Sequence, residues 1–461
     1  MPADSRPESA THPGAKTTRT AQGSALEVSA PAGQERVSLQ QYARLVRDNA
    51  NFRRLWLAQM VSEIGDWFYT VTIYNLLLQF TGRAETVGLA LVLQVLPQTV
   101  AGPAAGVIND RLRRKHVMIT ADLLRAGIVL AMLMAFSPSS VWLVYPLLLA
   151  ETVAAAFFEP ARSSVIPNIT GREQVIVANT LSSITWSFNL AIGATLGGLV
   201  AVLFGRGTVF VLNALSFVVS ALLIRRMRFE EPHAEGRPPL QVRELVNFSP
   251  IAEGVRYVRG NARLATTLFA KCGLGLMIGA TWVIYTIMGE RLFPVRPMQL
   301  GAERAAMLGM SLLIGARGLG ALVGPLAAAN WAGQHDSRLR AGILLGFLAG
   351  ATGVLLISAA PNIWFACACV VLAHCGGSVV WVFSTTLLQL HTSDRYRGRV
   401  FSADLGLCML AISVTAWLAS VAADAQIPVR WLAAATAIAM FATAGAWAWA
   451  QGMWRMSRAA E

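Results

Sequence analysis

Apolar stretches of about 20 residues, the length a helix needs to cross roughly 30 Å of hydrocarbon, recur along this chain from about residue 55 to its end. Only 14% of the 461 residues are charged and 55% are hydrophobic, whereas soluble domains carry about 25% charged residues. No single soluble core accommodates such a pattern, and the chain reads as an all-α polytopic membrane protein. The apolar runs predict twelve crossings, at 55–80, 86–108, 116–136, 141–159, 177–203 and 207–224, then at 264–289, 305–331, 340–359, 362–388, 400–421 and 428–450.

The remaining segments fall between and around these runs. Residues 1–37 are rich in Ala, Thr, Ser, Pro and Gly without an apolar core, which predicts a disordered cytoplasmic tail. Residues 38–54 predict a short amphipathic helix leading into the first six-span bundle, 38–224. A basic linker at 225–263 joins it to a second bundle, 264–450, and 451–461 form a second cytoplasmic tail. Val242, Leu245, Val246, Ile251, Val255 and Val258 would give the linker an apolar edge lying on the membrane. Two six-helix halves joined in this way suit alternating access, in which one bundle rocks against the other.

The net charge of +13 could indicate nucleic acid. The distribution argues against it. With both termini in the cytoplasm, the inside segments from Arg36 onward hold roughly 26 Lys and Arg residues and the outside segments roughly six, the bias that sets membrane topology. The largest outside loop, ERLFPVRPMQLGAER (290–304), contains two prolines and is expected to be an irregular lid. Five cysteines lie inside apolar runs with neither disulfide nor zinc spacing.

The run GVINDRLRRK (106–115), between spans two and three, resembles the loop signature G-x-x-x-D-R-x-G-R-K of the major facilitator superfamily. Gly106, Asp110, Arg111, Arg114 and Lys115 match, and Arg113 replaces the second glycine. NFRRLWLAQMVSEIGDWF (51–68), FFEPARSSVIP (157–167), EGVRYVRGN (253–261) and DRYRGRVFS (394–402) are similar to the drug-proton antiporter branch that includes macrolide-efflux and enterobactin-exporter proteins. The resemblance covers about residues 38–450. It implies the major facilitator fold in an inner membrane, monomeric, needing no cofactor. It also implies export of an amphipathic, drug-like or siderophore-like molecule driven by inward proton flow. Two stretches depart from the pattern. In span five NLAIGATLGG (189–198) keeps Gly193, Gly197 and Gly198 for close helix packing but has Ala194 in place of a proline. In the second half NWAGQHDSRLR (330–340) lacks the Asp-Arg pair.

Ionisable groups within spans are functional candidates. Asp66 lies about 17 Å into span one at 1.5 Å per residue, with Glu63 one turn nearer the inside. Low dielectric disfavours a charged carboxylate, so these acids, with Glu151 in span four, are candidates to carry the coupling proton. The structural alternatives are pairs of Asp66 with Arg125 or Lys271, and of Glu151 with Arg125; Asp122 and Arg125, three apart on span three, form a local pair by default. Gly106, Asp110, Arg111, Arg114 and Glu159 are expected to form a latch that shuts the inner face. In it Arg114 pairs with Glu159, and Asp110 meets the start of span eleven near Arg399–Ser402. Trp67, Tyr69, Trp186, Asn189, Arg317, Trp381 and Phe383 are candidates to line a substrate cavity, Arg317 for anionic cargo, and His374 is a further proton carrier or a hydrogen-bonded structural residue. Uptake or facilitated diffusion of a metabolite, and a lysolipid flippase, are the alternative transport readings. A P-loop, an H-E-x-x-H pair and a G-x-S-x-G elbow are all missing from the sequence, which argues against an enzyme or sensor.

The charge bias makes a topological prediction. In a background with the five native cysteines replaced, Arg111→Cys should resist a membrane-impermeant maleimide in intact cells and Arg291→Cys should react. The opposite pattern would invert the assignment.

Overall fold

The computed structural model describes residues 39–171, 174–231, 249–295, 301–332 and 335–460. Among them are fourteen α-helices and no strand. α1 (Leu39–Asp48) precedes the first bundle: α2 (Ala50–Thr81), α3 (Ala84–Arg111), α4 (Arg114–Ala131), α5 (Val144–Ile169), α6 (Val175–Phe204) and α7 (Arg206–Arg225). α8 (Ser249–Arg259) belongs to the linker. The second bundle is α9 (Ala262–Ile287), α10 (Ala302–Ala332), α11 (Asp336–Ser358), α12 (Ile363–His391), α13 (Asp394–Asp424) and α14 (Val429–Ala460). The twelve membrane-crossing helices are α2–α7 and α9–α14.

Local chemistry sets several boundaries. The predicted lead-in helix is broken at Asn49, whose side chain accepts from Phe52 N at 2.9 Å and caps α2. Asn261 and Asn362 cap α9 and α12 in the same way. Gly82, at φ 68°, ends α2 in the left-handed conformation. Span four, expected to end at 159, continues through Pro160 and Pro167 to Ile169.

Eleven of the crossing helices are long and apolar enough to span a membrane by composition alone. The twelfth, α2, is 32 residues long but carries Gln59, Glu63, Asp66, Asn75 and Gln79. It is sheltered between α6 and α7 and in part by α10. This crossing helix, with two acids at mid-depth, is therefore an inner one, as it must be when lipid cannot solvate its side chains.

The halves meet along two seams, α3 against α13 and α6 against α10. Both seams are tight at the face away from the termini, here the distal face. Asp424 accepts from Ala84 N and Glu85 N at 2.7 Å each, capping α3 from the other half. Arg206 pairs with Glu303 at 2.6 Å, and Arg291 donates to Gly82 O at 3.2 Å. A Cβ at Gly88 would collide with Ser420, and one at Gly198 with Ser311. Toward the opposite, terminal face, Thr99 approaches Gly406 and Ala191 approaches Gly318. At 1.5 Å per residue these lie about 20 Å from the distal ends of α3 and α6. Beyond them, a Cβ at Gly102 or Gly106 would meet nothing within 4 Å. Among the described residues the polar contacts between the halves lie toward the distal face, which is shut, and the terminal face is the parted one.

The linker differs from expectation. Val242, Leu245 and Val246 lie outside the described residues, as do 296–300 of the expected lid, and nothing is described of the Ile251 side chain. Val258 does not lie on the membrane: it is buried against Leu264, Leu268, Leu388, Val400 and Ala403. α8 is clamped onto the start of α13 by Arg399–Glu253 at 2.6 Å and by a stacked Tyr257–Tyr396 pair with centroids 4.5 Å apart. Of the lid, Met288–Leu292 prolong α9 as a wider helical turn, and Val295 N donates to Ala305 O at 2.9 Å.

The seams predict unequal costs for equal substitutions. Gly88→Val forces atoms into a filled interface and should cost about 1–3 kcal/mol, seen as a lower unfolding midpoint in detergent. Gly102→Val, on the same helix, should leave the midpoint unchanged.

Candidate functional site

The largest concentration of buried charge lies midway through the first bundle. Gly65 lets α2 approach α7 so closely that a Cβ there would collide with Asn213 and Ser216. This brings Asp66 beside α4, where Arg125 acts as a hub. Its Nη2 donates to Asp66 Oδ2 at 2.7 Å and its Nε to Glu151 Oε1 at 2.8 Å, while Nη1 lies 4.0 Å from Asp122 Oδ1. Ser220 Oγ donates to Asp122 Oδ2 at 2.6 Å, and Tyr69 Oη to Glu151 Oε2 at 3.1 Å. The guanidinium also covers the Phe217 ring at 4.0 Å. One cation thus faces three acids. Asp66 Oδ1 and Asp122 Oδ1 are buried with no hydrogen-bond partner. The pairing of Asp66 and Glu151 with Arg125, weighed as a structural alternative, is present; pairing of Asp66 with Lys271 is not.

A second chain runs from Glu63 toward the terminal face. Gln59 and Asn189 donate to the two Glu63 carboxylate oxygens at 2.8 and 2.9 Å. Arg162 donates to Gln59 Oε1 at 3.0 Å and pairs with Glu159 at 2.8 Å. Glu159 therefore does not meet Arg114 as expected, because Arg162 lies one turn away on the same helix. Arg114 instead donates to Ser164 O at 3.0 Å and stands 3.8 Å from Asp110. The Asp110 side chain is 69% exposed at the parted face, and Arg399, its expected neighbour region, is held by Glu253.

The cavity candidates separate into groups. Trp67 stacks on Trp282 of the other half, with centroids 6.0 Å apart, and meets Trp186 edge-on at 6.0 Å; Trp186 is 43% exposed. Arg317 covers the opposite partner in this row, Trp282, at 3.8 Å. Trp381 lies 4.5 Å from the Lys271 ammonium. Three candidates do not line a cavity. Tyr69 is buried with its hydroxyl in the arginine cluster, Asn189 is buried holding Glu63, and Phe383 is buried between α11 and α12, filling the space left by Gly342. Gly193 and Gly197 face Trp67 and Phe68 on α2, whereas Gly198 faces α10.

Sequence reasoning did not single out Asp404, Trp282, Gln59 or Arg162. Lys271 Nζ binds Asp404 at 2.5 Å and Thr385 Oγ1 at 2.8 Å, deep in the second bundle. Two lone charges of opposite sign in apolar runs were the available signal. No set of residues suited to holding a metal occurs among the described residues.

The hub predicts an asymmetric mutational response. Arg125→Met strands the acids and should cost about 3–5 kcal/mol, read as loss of folded yield and a lower unfolding midpoint. Adding Asp66→Asn and Glu151→Gln should recover part of that loss.

The Major Facilitator Superfamily model matches residues 55–403. Macrolide efflux protein A of Streptococcus pyogenes is 25% identical over 379 residues, 81% of this chain and 89% of that protein. The putative bacilysin exporter BacE of Bacillus amyloliquefaciens is 25% identical, covering 78% and 86%. Among solved structures, the nucleoside transporter NupG superposes with a TM-score of 0.67 at 9% identity, covering 87% of this chain and 98% of that one, a likeness of fold. With the family match spanning most of the chain, paired six-helix bundles meeting on two seams and a row of charges buried at mid-depth, this protein belongs to the Major Facilitator Superfamily of membrane transporters.

Proposed function

We propose that the protein exports an amphipathic small molecule from the cytoplasm in exchange for protons, by rocking its two bundles. The observation that carries this reading is the excess of acid around Arg125: a single guanidinium among Asp66, Glu151 and Asp122, with Asp66 Oδ1 unpartnered. A fully ionised cluster would leave two uncompensated negative charges in a low-dielectric interior, where an unpaired charge is costly. Protons or a cationic cargo would relieve that excess. Competition between them for one cluster is the essence of exchange, since each favours release of the other. Glu63, one turn from Asp66, and the chain Gln59–Arg162–Glu159 offer a polar route to the parted face.

The relatives named for macrolide efflux and bacilysin export support the outward direction and a bulky cargo. The positive-inside bias supports cytoplasmic termini in an inner membrane. The parted terminal face is then the cytoplasmic opening, with Trp67, Trp282 and Trp186 toward its closed end. Asp110 and Arg111, with Gly106 and Arg114 supporting their bend, are proposed to engage the start of α13 when that face closes, where Arg399 is now held by α8.

Proteoliposomes with an imposed pH gradient and a radiolabelled macrolide test the reading. Wild-type protein should accumulate the macrolide only while the gradient lasts. Asp66→Asn should lose gradient-driven accumulation by at least about tenfold, the equivalent of 1.4 kcal/mol, yet retain downhill exchange. Equal flux with and without the gradient would contradict proton coupling.

A further inference from the structure

Arg317 is the unusual charge of the second bundle. It sits midway along α10, about 22 Å from either end at 1.5 Å per residue. The residue is only 8% exposed, yet among the described residues no carboxylate or carbonyl engages its guanidinium. Other cations within the spans are neutralised, Arg125 by its acids, Arg162 by Glu159 and Lys271 by Asp404. An intramembrane cation without a counter-ion is expensive to retain.

Its surroundings share one property. The guanidinium lies 3.8 Å over Trp282, whose buried indole Nε1 is beside the Tyr74 hydroxyl. Tyr285, one turn along α9 from Trp282, has a buried hydroxyl beside Thr281, and its ring meets His374 at 5.7 Å. His374 Nε2 is buried without a partner, and both groups lie within electrostatic reach of Arg317. Two glycines on α10 create this closeness: Gly320 and Gly324 press α10 on α12 beside His374 and Cys375. A guanidinium, an indole N–H, a phenol O–H and an imidazole therefore converge from three helices. The Trp282 indole faces the Tyr74 hydroxyl and the Tyr285 phenol faces Thr281, both neutral acceptors, so the site is rich in donors and offers the guanidinium no anion among the described residues. Buried polar groups are otherwise almost always satisfied.

We propose that Arg317, Trp282, Tyr285 and His374 form an anion subsite that receives a carboxylate carried by the exported molecule. This rests on the reading of the protein as an exporter and adds to its cargo a class that carries a carboxylate, beside the cationic cargo that the acids around Arg125 suit. A guanidinium matches a carboxylate in two parallel hydrogen bonds. The indole beneath it suits an aromatic or apolar body attached to that carboxylate. Occupancy is also placed to reach the other half. Trp282 stacks on Trp67, which follows Asp66 in sequence, so drawing Arg317 from its ring alters an aromatic contact that crosses between the bundles.

Thermal unfolding of purified full-length protein tests this without any transport. Sodium benzoate is the probe, sodium chloride at equal ionic strength the reference, and benzyl alcohol the neutral control. A ligand that binds the folded state alone raises its stability in proportion to occupancy. Wild-type protein should gain several degrees in benzoate, and none in benzyl alcohol. Arg317→Gln should lose that gain, and Arg317→Lys, which keeps the charge but not the two-pronged donor, should keep a smaller one. Tryptophan fluorescence provides a second readout should Arg317→Gln not fold: benzoate should alter the emission of wild type and not that of Trp282→Phe. No benzoate-specific gain in wild type, an equal gain in a folded Arg317→Gln, or a fluorescence response unchanged in Trp282→Phe would each overturn the proposal. Loss of pH-driven macrolide flux with benzoate binding intact would instead refute proton coupling and leave the subsite standing.

Discussion

Neutralising charge where water is scarce is the constraint on which this structure depends. A carboxylate or guanidinium deep in the bundle must find a partner within the protein, because hydrocarbon offers none. α2 carries two acids through the bilayer and is accordingly the crossing helix that falls short of the apolar composition of the other eleven. Its shelter between α6 and α7, the approach made possible by Gly65 and the reach of Arg125 from α4 all answer the same requirement. The second bundle meets it differently, with one closed Lys271–Asp404 pair and one cation, Arg317, left open.

That difference gives the halves unequal electrostatics. The first bundle has more acid than base at its centre and suits protons or cations. The second presents donors around a lone cation and suits an anion. Between them lies the Trp67–Trp282 stack, an aromatic bridge across the halves. The seams that flank it are built from small residues, with Gly88 against Ser420 and Gly318 against Ala191, so that backbones approach without long side chains interlocking. An interface of this kind holds one face shut while the opposite face stands apart, and it can be repacked by rotation rather than by unfolding.

Much of the architecture was legible in the sequence because span length is fixed by bilayer thickness. The twelve apolar runs fall on the twelve crossing helices, and errors concentrate at their ends, as at α5, which runs through two prolines to Ile169. Individual contacts were less accessible. Depth alone puts Arg114 near Glu159 at the end of span four, whereas Arg162 is available one turn along the same helix. Phe383 and Asn189 share their depth with cavity residues but point into helix contacts, and rotation about a helix axis is weakly encoded when all faces are apolar. Val258 was assigned to the membrane surface because its amphipathic edge could not reveal that α13 would cover it. Asp404 neutralises a lysine more than 130 positions away, a pairing that sequence spacing does not disclose.

The central claim is that proton occupancy of the Arg125 cluster sets which face of the paired bundles is open. Spin labels at Gly106 and at Ser402, on opposite sides of the parted face, report that directly by their distance distribution in lipid nanodiscs at acid and alkaline pH. The account predicts that the distribution redistributes between a long and a short distance with pH, and that Asp66→Asn with Glu151→Gln fixes it in one state. A distribution that is the same at every pH in the wild-type protein would contradict it.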